Sequence, residues 1–502
     1  MMRVAFRCDA SIQIGSGHFM RCLTLADTLK KKGALIRFVS RNLPEYLRDM
    51  LVAKGMEFAA LKNEGSGTCD GDLRHSHWLE TSQLQDVQNT IQALSDQIWD
   101  WLVVDHYALD ARWESGMRMQ AKHIMVIDDI ADRQHDCDVL LDQNFYENMQ
   151  GRYTGKVPVD CRLLLGPRYA LLRDEFWQLR EHIKPRTGPI KRIMVFFGGV
   201  DADNYTGLAI KALSGLGIKG IHVDIVIGAV HPQRAQIERE CVVQGYSCHV
   251  QTTHMAELMA VADLAIGAGG SACWERCCLG LPALSICVAD NQCKQISNAA
   301  NAGLLYAPSC DRATVELIWD HTKALFENSS LLNLISVSAL NTVDGKGVFR
   351  VAGILGMSCI EIRLATENDS QKLFEWRNHP TIRSVSRTND LIDWKVHCSW
   401  FASILSDKDR TLLIGYLENK PVGVVRFDKD GDVVEVSIYL VPEGGYAGQG
   451  RNLLLSAERW LQANRLGIKR IRATVLNGNS ASHRLFSGAD YQLEMVTYIK
   501  EV

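Results

Sequence analysis

Short apolar runs that stop at a glycine-rich or acidic turn, and then give way to a helical period, recur through two thirds of this chain. Arg3–Arg7 leads into Ile14-Gly15-Ser16-Gly17-His18 and a helix over Met20–Lys32, and Leu35–Ser40 follows as the next strand. Trp101–Asp105 and His123–Ile127 repeat the theme, ending in Asp105-His106-Tyr107 and Asp128-Asp129. Strands that alternate with helices must lie parallel, with helices covering both faces of the sheet. In such open sheets, ligands are met beyond the carboxyl ends of the strands.

The pattern divides. Residues 1–181 form one βα series, and the basic, proline-containing stretch 182–191 (HIKPRTGPIK) reads as a linker. A second series over 192–340 has strands at Arg192–Phe197, Val223–Ile227, Leu264–Ile266 and Ala283–Val288, with helices at Asn204–Leu213, Ser271–Leu279 and Gln292–Ala302. Residues 341–357 read as a second linker. Residues 358–502 form a smaller unit of antiparallel-looking strands: Ile360–Leu364, Thr411–Leu417, Pro421–Asp428 and Val433–Leu440. The expected fold is α/β throughout: two Rossmann-like lobes facing across a cleft, then a smaller domain with a mixed sheet. At 502 residues the chain is too long for a single core.

A formal net charge of −3 gives no basic face for nucleic acid, which is not an expected partner. The start, MMRVAFRCDA, lacks the apolar core of a signal peptide, and the greasy stretch 258–268 is broken by Asp263 well short of the ~20 residues that span a bilayer. Cytoplasm, and no membrane partner, is the expectation. The 15 cysteines show no paired CxxC spacing for zinc and are expected to be reduced, mostly buried thiols.

Three glycine turns carry the candidate chemistry. Gly15 and Gly17 open the first helix, where amides face an anion, and His18 adds an imidazole able to take a proton from water near neutral pH. Gly198-Gly199 closes a buried strand, and Gly269-Gly270-Ser271 opens another helix; both suit phosphate. Glu275, about one turn further on, is placed to accept from both hydroxyls of a ribose. Asp128 and Asp129 raise the alternative of a Mg²⁺ site, yet helix starts can stabilise a leaving diphosphate, so no metal is expected.

The RxDAS stretch (Arg7, Asp9, Ala10, Ser11), IGSGH, VVDHY, IDDIADRQHDCDVLLDQN, GPRYALLRDEF and FFGGVDADN together resemble the pseudaminic-acid-pathway hydrolases, over roughly residues 1–310. These release UDP from UDP-2,4-diacetamido-2,4,6-trideoxy-β-L-altropyranose. The GAGGSACWE…GLPAL…NQ…N segment is similar to GT-B glycosyltransferases more broadly. The resemblance implies a GT-B arrangement of the lobes. It makes His18 the base for water attacking the anomeric carbon with inversion, without a metal. It places Tyr107 and Asn291 at the sugar or its water, Glu275 at the ribose, and Arg7, Asp9 and Gln292 on the substrate side.

In the third domain, Val433–Leu440 runs into Pro442-Glu443-Gly444-Gly445-Tyr446-Ala447-Gly448-Gln449-Gly450-Arg451 and a helix over Asn452–Ala463, again a strand, glycine loop and helix start suited to an anion. Asn479…Ser482 joins a later strand to the short helix His483–Phe486. Over about 359–500 this resembles the GNAT superfamily, which implies acetyl-CoA as co-substrate, held by Tyr446, Ala447, Gly448, Gly450, Arg451, Asn479 and Ser482. Gly445 stands where members usually carry Arg or Gln, and Phe486 where many carry the tyrosine that protonates the thiolate, so the resemblance assigns no general acid here. Trp376-Arg377-Asn378, His397…Trp400-Phe401 and Val433–Tyr439 are similar to the acetyltransferases of the same pathway, which acetylate a 4-amino group on a UDP-sugar. That likeness puts Trp376, Arg377, Asn378 and His397 at the acceptor and makes Glu435 the candidate base for its ammonium.

Together these resemblances imply a bifunctional enzyme of nonulosonic-acid biosynthesis serving flagellin or surface glycans, with a UDP-sugar and acetyl-CoA as small-molecule partners and other enzymes of the pathway as further partners. Two alternatives remain: a GT-B glycosyltransferase carrying an acetyltransferase, and a non-catalytic nucleotide-sugar-binding protein.

Overall fold

The computed structural model describes residues 2–494 apart from 12, 63–70, 218–219, 310–312, 358–359, 387, 418–419, 447, 465–467, 477–478 and 490, and apart from the side chains of residues 290 and 291. The chain forms two compact units, Met1–Val351 and Ala352–Val502.

Among the described residues the first unit holds two all-parallel sheets. One has the order β3-β2-β1-β4-β5-β6-β7. Its strands are β1 (Arg3–Cys8), β2 (Leu35–Ser40), β3 (Glu57–Ala60), β4 (Trp99–Asp105), β5 (Ala121–Ile127), β6 (Val139–Asp142) and β7 (Arg162–Leu165). The other has the order β10-β9-β8-β11-β12. It comprises β8 (Arg192–Phe196), β9 (His222–Ile227), β10 (Ser247–Val250), β11 (Leu264–Ala268) and β12 (Ala283–Ile286). The central strands read as unbroken apolar runs because helices cover both of their faces: Val4, Ala5 and Phe6 in β1, and Val103 in β4, are wholly buried.

Both linkers differ from expectation. The helix Asp174–Arg180, placed by sequence with the first lobe, packs Phe176 into the core of the second, beside Met194, Met259 and Trp274. Within 182–191, Arg186 donates to the carbonyls of Met259, Ala260, Ala262 and Leu279, so this stretch is a strap bonded along the second lobe rather than a loose tether. The 341–357 stretch contains the helix Gly347–Ile354, whose Val348, Val351 and Ala352 are fully buried, and this helix runs through the point where the two units divide. Its apolar spacing is masked in the sequence by the glycines at either end.

The cysteine expectation also needs correction. Ten described cysteines are free, seven of them buried, but Cys287 and Cys293 form a disulfide across the turn that opens the helix Asp290–Asn301. Six residues of separation, folded back by that turn, bring the two together.

The second unit has one sheet of order β13-β14-β15-β16-β17 among its described residues. Its strands are β13 (Glu361–Leu364), β14 (Arg410–Leu417), β15 (Lys420–Asp430), β16 (Val433–Leu440) and β17 (Arg470–Ala473). The first four pair antiparallel, while β16 and β17 pair parallel. The amphipathic helix Gly450–Asn464 buries Leu453, Leu454, Ala457 and Leu461. No helix among the described residues is long and apolar enough to cross a membrane.

Candidate functional site

In the first unit, the chain leaves β1 and turns sharply at Gly15, whose φ of +76° is open to glycine and whose amide donates to the Ser11 carbonyl at 2.8 Å. The helix Gly17–Lys31 therefore begins earlier than the sequence suggests, and His18 stands in its first turn. Asp105 ends the neighbouring strand β4, in register with Cys8, so it emerges at the same edge of the sheet. There the His18 Nδ1–H donates to Asp105 Oδ1 at 2.6 Å. Arg21, one turn along the same helix, donates Nε to Asp105 Oδ2 at 2.6 Å and a terminal nitrogen to Oδ1 at 2.7 Å. Burial works to raise the Asp105 carboxyl, but Arg21 and then His18 outweigh it and hold it well below the usual carboxylate range. A permanently ionised Asp105 keeps the proton on Nδ1, which leaves Nε2 as the basic nitrogen.

Tyr107 lies beside this dyad, its ring edge-on to the imidazole at 4.6 Å and its hydroxyl donating to Asp129 Oδ1. Burial, and then the Asp129 charge, push the Tyr107 phenol well above its usual range, so it stays protonated as a donor. Arg21 also reaches Asp129 Oδ2 at 2.9 Å. The paired carboxylates therefore part company: Asp129 serves Tyr107 and Arg21, while Asp128 turns inward to Arg133 and His135. Among the described residues no cluster of three or more His, Cys, Asp or Glu side chains is placed to hold a metal ion.

The second lobe supplies glycine turns shaped by close backbone approach. A β-carbon on Gly267 would collide with the Phe196 carbonyl oxygen, and one on Gly228 would collide with that of Gly199. Buried Arg276 reaches back along its helix to the Ala268 carbonyl at 2.6 Å, holding that oxygen inward ahead of the turn through Gly269 and Gly270. The helix Ser271–Cys278 starts there with its first amides free of intrahelical partners. Gly198 adopts φ +109°, and Gly199 comes within 4.0 Å of Ser16 Oγ, measured from its would-be β-carbon, so turns from the two lobes face each other. Glu275 lies on the same helix, 3.5 Å from Arg173, with its carboxyl raised by burial. The Gln292 carboxamide oxygen is buried against Gly269 without a hydrogen-bond partner. The side chain of Asn291 lies outside the described residues.

The site expected from sequence needs two corrections here. Arg7 and Asp9 are both fully buried, paired at 2.8 Å, with Asp86, Arg41 and His106 around them. They tie β1 to its neighbours and present no surface to a substrate. Nothing in the sequence joins Asp105 or Trp78 to His18, whereas Arg21, three residues on along the same helix, stands at the spacing that makes helical neighbours. Asp105 needed strand register to bring it there, and Trp78 sits on a short turn, Ser76–Leu79, with no periodicity to mark it.

In the second unit, Gly448 adopts φ +88° just before the helix start at Gly450. Buried Gln449 is anchored by Asn452, which donates to its Oε1 at 2.8 Å. Free amides at a helix start after a left-handed glycine fit the pyrophosphate of acetyl-CoA. Tyr446 is buried against Gly444, Arg451 donates Nε to the Gly488 carbonyl, and Asn479 caps the helix Ser480–Ser487 by accepting from the Ser482 amide at 3.0 Å. Ala447 lies outside the described residues.

On the acceptor side the structure separates the candidates. His397 is buried in an aromatic cluster with Trp394 and Phe401, its Nε2 2.9 Å from the Ser370 carbonyl, which makes it a packing residue. Asn378 spends both ends of its amide on the backbone of Ile392, pinning that loop to the helix Ser370–Asn378. Trp376 packs on the core, while Arg377 is half-buried near Tyr439 and Arg426 with one terminal nitrogen unpartnered. The pairing of β16 with β17 runs from Val433↔Arg470 to Val436↔Ala473, and Glu435 lies inside that stretch, 3.8 Å from Arg472, rather than past it. The ion pair competes with the role of base expected for it.

Residues 192–307 match the glycosyltransferase family 28 C-terminal domain, and residues 370–490 match the acetyltransferase (GNAT) family. An uncharacterized protein of Methanocaldococcus jannaschii is 23% identical over 98% of this chain and 97% of its own length. The UDP-2,4-diacetamido-2,4,6-trideoxy-β-L-altropyranose hydrolase of Campylobacter jejuni is 25% identical over 58% of this chain and 93% of its own. Among solved structures, MurG of Acinetobacter baumannii aligns with 71% of this chain and 99% of its own at 15% identity and a TM-score of 0.50, a likeness of fold. The chain therefore joins in one polypeptide a GT-B unit homologous to a UDP-sugar hydrolase and a C-terminal domain of the GNAT acetyltransferase type.

Proposed function

We propose that the chain carries out two consecutive steps on one nucleotide sugar. The C-terminal domain transfers acetyl from acetyl-CoA to the 4-amino group of UDP-4-amino-4,6-dideoxy-N-acetyl-β-L-altrosamine. The N-terminal unit then hydrolyses the resulting UDP-2,4-diacetamido-2,4,6-trideoxy-β-L-altropyranose to free sugar and UDP. The observation that carries the hydrolytic step is the His18–Asp105 pair at the start of a helix whose preceding Ser16 faces the Gly198–Gly199 turn of the second lobe. His18 Nε2 takes a proton from water as the water oxygen bonds to the anomeric carbon. The bond to the β-phosphate oxygen breaks, UDP leaves with the electron pair, and the anomeric centre inverts. Positive charge for the departing diphosphate comes from the helix starts at Gly17 and Ser271, so no metal is required for this step. The choice of sugar rests on the likeness to the Campylobacter jejuni hydrolase.

The test is to incubate the full chain with acetyl-CoA and the 4-amino UDP-sugar, with and without EDTA, and to identify products by NMR. Free diacetamido sugar, UDP and CoA are expected in both. With an alcohol acceptor added, a glycoside in place of free sugar would make it a glycosyltransferase, and binding without UDP or CoA release would make it a binding protein.

A further inference from the structure

The surroundings of His18 point to the residue that chooses its nucleophile. The imidazole side chain is only 11% exposed, although it stands at the open edge of a sheet. Two aromatic rings pack against it. Tyr107 meets it edge-on at 4.6 Å, Trp78 meets it edge-on at 6.1 Å, and Trp78 stacks on Tyr107 at 5.5 Å with 23° between the rings. His75 completes the group at 4.6 Å from Trp78 and 5.3 Å from Tyr107. Tyr107 is fixed from behind by its bond to Asp129 and by the Arg133 guanidinium 5.7 Å from its ring. Trp78 and His75, by contrast, belong to the turn around Ser76–Leu79, outside the sheet and its covering helices.

We infer that Trp78, backed by His75, is a specificity-determining wall that excludes alcohol acceptors from His18 and so commits the site to water. The inference rests on the hydrolytic reading above and deepens it. Inverting transfer to an alcohol and hydrolysis share one balance: an O–H oxygen bonds to the anomeric carbon, its proton passes to Nε2, and UDP departs with the electrons of the broken bond. What separates them is the volume beside the base. A water molecule fits where an indole closes the space, whereas an alkanol brings at least one carbon that needs it. Discrimination of this kind is steric: the larger nucleophile is rejected because its carbons have no room beside the base.

The experiment supplies the full chain with UDP-2,4-diacetamido-2,4,6-trideoxy-β-L-altropyranose in buffer containing n-propanol or glycerol, and reads UDP release together with the ratio of glycoside to free sugar by mass spectrometry. The wild type should give free sugar alone. Trp78→Ala should yield propyl and glyceryl glycosides at a ratio about tenfold or more above the detection limit that bounds the wild type. His75→Ala should act in the same direction and serves where Trp78→Ala fails to fold. An unchanged ratio in a folded variant that still releases UDP overturns the wall, as does a wild type that already forms glycosides. A folded Trp78→Ala chain that releases no UDP also overturns it, because Trp78 would then belong to the chemistry. Absence of UDP release from the wild type instead overturns the hydrolytic reading on which the wall depends.

Discussion

A histidine acts as a base at one nitrogen when its other nitrogen is engaged, and in this chain the engagement comes from Asp105, 87 residues further along. IGSGH announces the imidazole; the VVDHY strand end that restrains it announces nothing by itself, since an aspartate closing a buried strand can as well be structural. Arg7 and Asp9 show the converse. They sit in a motif-like stretch, yet both are sealed in the core by Asp86 and Arg41. His18 and Glu275 should separate cleanly in kinetics. His18→Ala should lower UDP release from the diacetamido UDP-sugar by ~10²–10⁴-fold while leaving UDP affinity near that of the wild type. Glu275→Ala should weaken UDP binding while the rate at saturation changes less. Calorimetric titration with UDP beside a steady-state assay checks both, and near-normal turnover in His18→Ala would remove it from the role of base.

Between elements, the edge of the first sheet is held by buried charges as well as by apolar packing. His135 bridges Glu114, on the helix Ala111–Met117, at 2.8 Å and Asp128, at the end of β5, at 3.5 Å. Burial alone would lower this imidazole, but Asp128 and Glu114 outweigh it and raise it from 6.5 to about 9. A base whose folded pKa is raised contributes stability that is complete below about pH 6.5 and is lost as the pH climbs through about 9. The wild type should thus lose more thermal stability than His135→Gln between pH 6 and pH 10. Parallel melting curves for the two proteins across that range would contradict the bridge. None of this was legible in the sequence, where His135 lies in a run of charged residues. The strand and helix periods were legible, and they located the glycine turns; that Gly228 and Gly267 must be glycine follows only from the carbonyls packed against them.

At the scale of the whole molecule, two compact units lie in one chain, with the helix Gly347–Ile354 running through the point of division. Tethering two enzymes that share a substrate keeps the product of one at high local concentration for the other, and it requires no dependence of one chemistry on the other. Gly448, at φ +88° before the helix at Gly450, separates the two activities experimentally. Gly448→Val brings a β-branched side chain into a conformation open to glycine and toward the CoA pyrophosphate. Acetylation of the 4-amino UDP-sugar should fall below detection, while hydrolysis of the already diacetylated UDP-sugar proceeds at the wild-type rate. Loss of both activities in a folded variant would mean that the units act as one.

The sequence by itself determined the alternation of strand and helix, the glycine turns at strand ends and helix starts, and the change to an antiparallel pattern after residue 357, because these depend on periods and residue types a few positions apart. It also contained His18, Glu275 and Gly448 as candidates, each marked by the turn on which it stands. Only the tertiary structure decided which side chains meet. Strand register carried Asp105 to His18, an off-sheet turn brought Trp78 over Tyr107, and pairing of β16 with β17 placed Glu435 beside Arg472. The same long-range packing buried Arg7, Asp9 and His397, and the fold of one turn joined Cys287 to Cys293. Apart from the disulfide, such contacts span tens of residues, and the side chains that make them carry no periodicity from which a partner can be read.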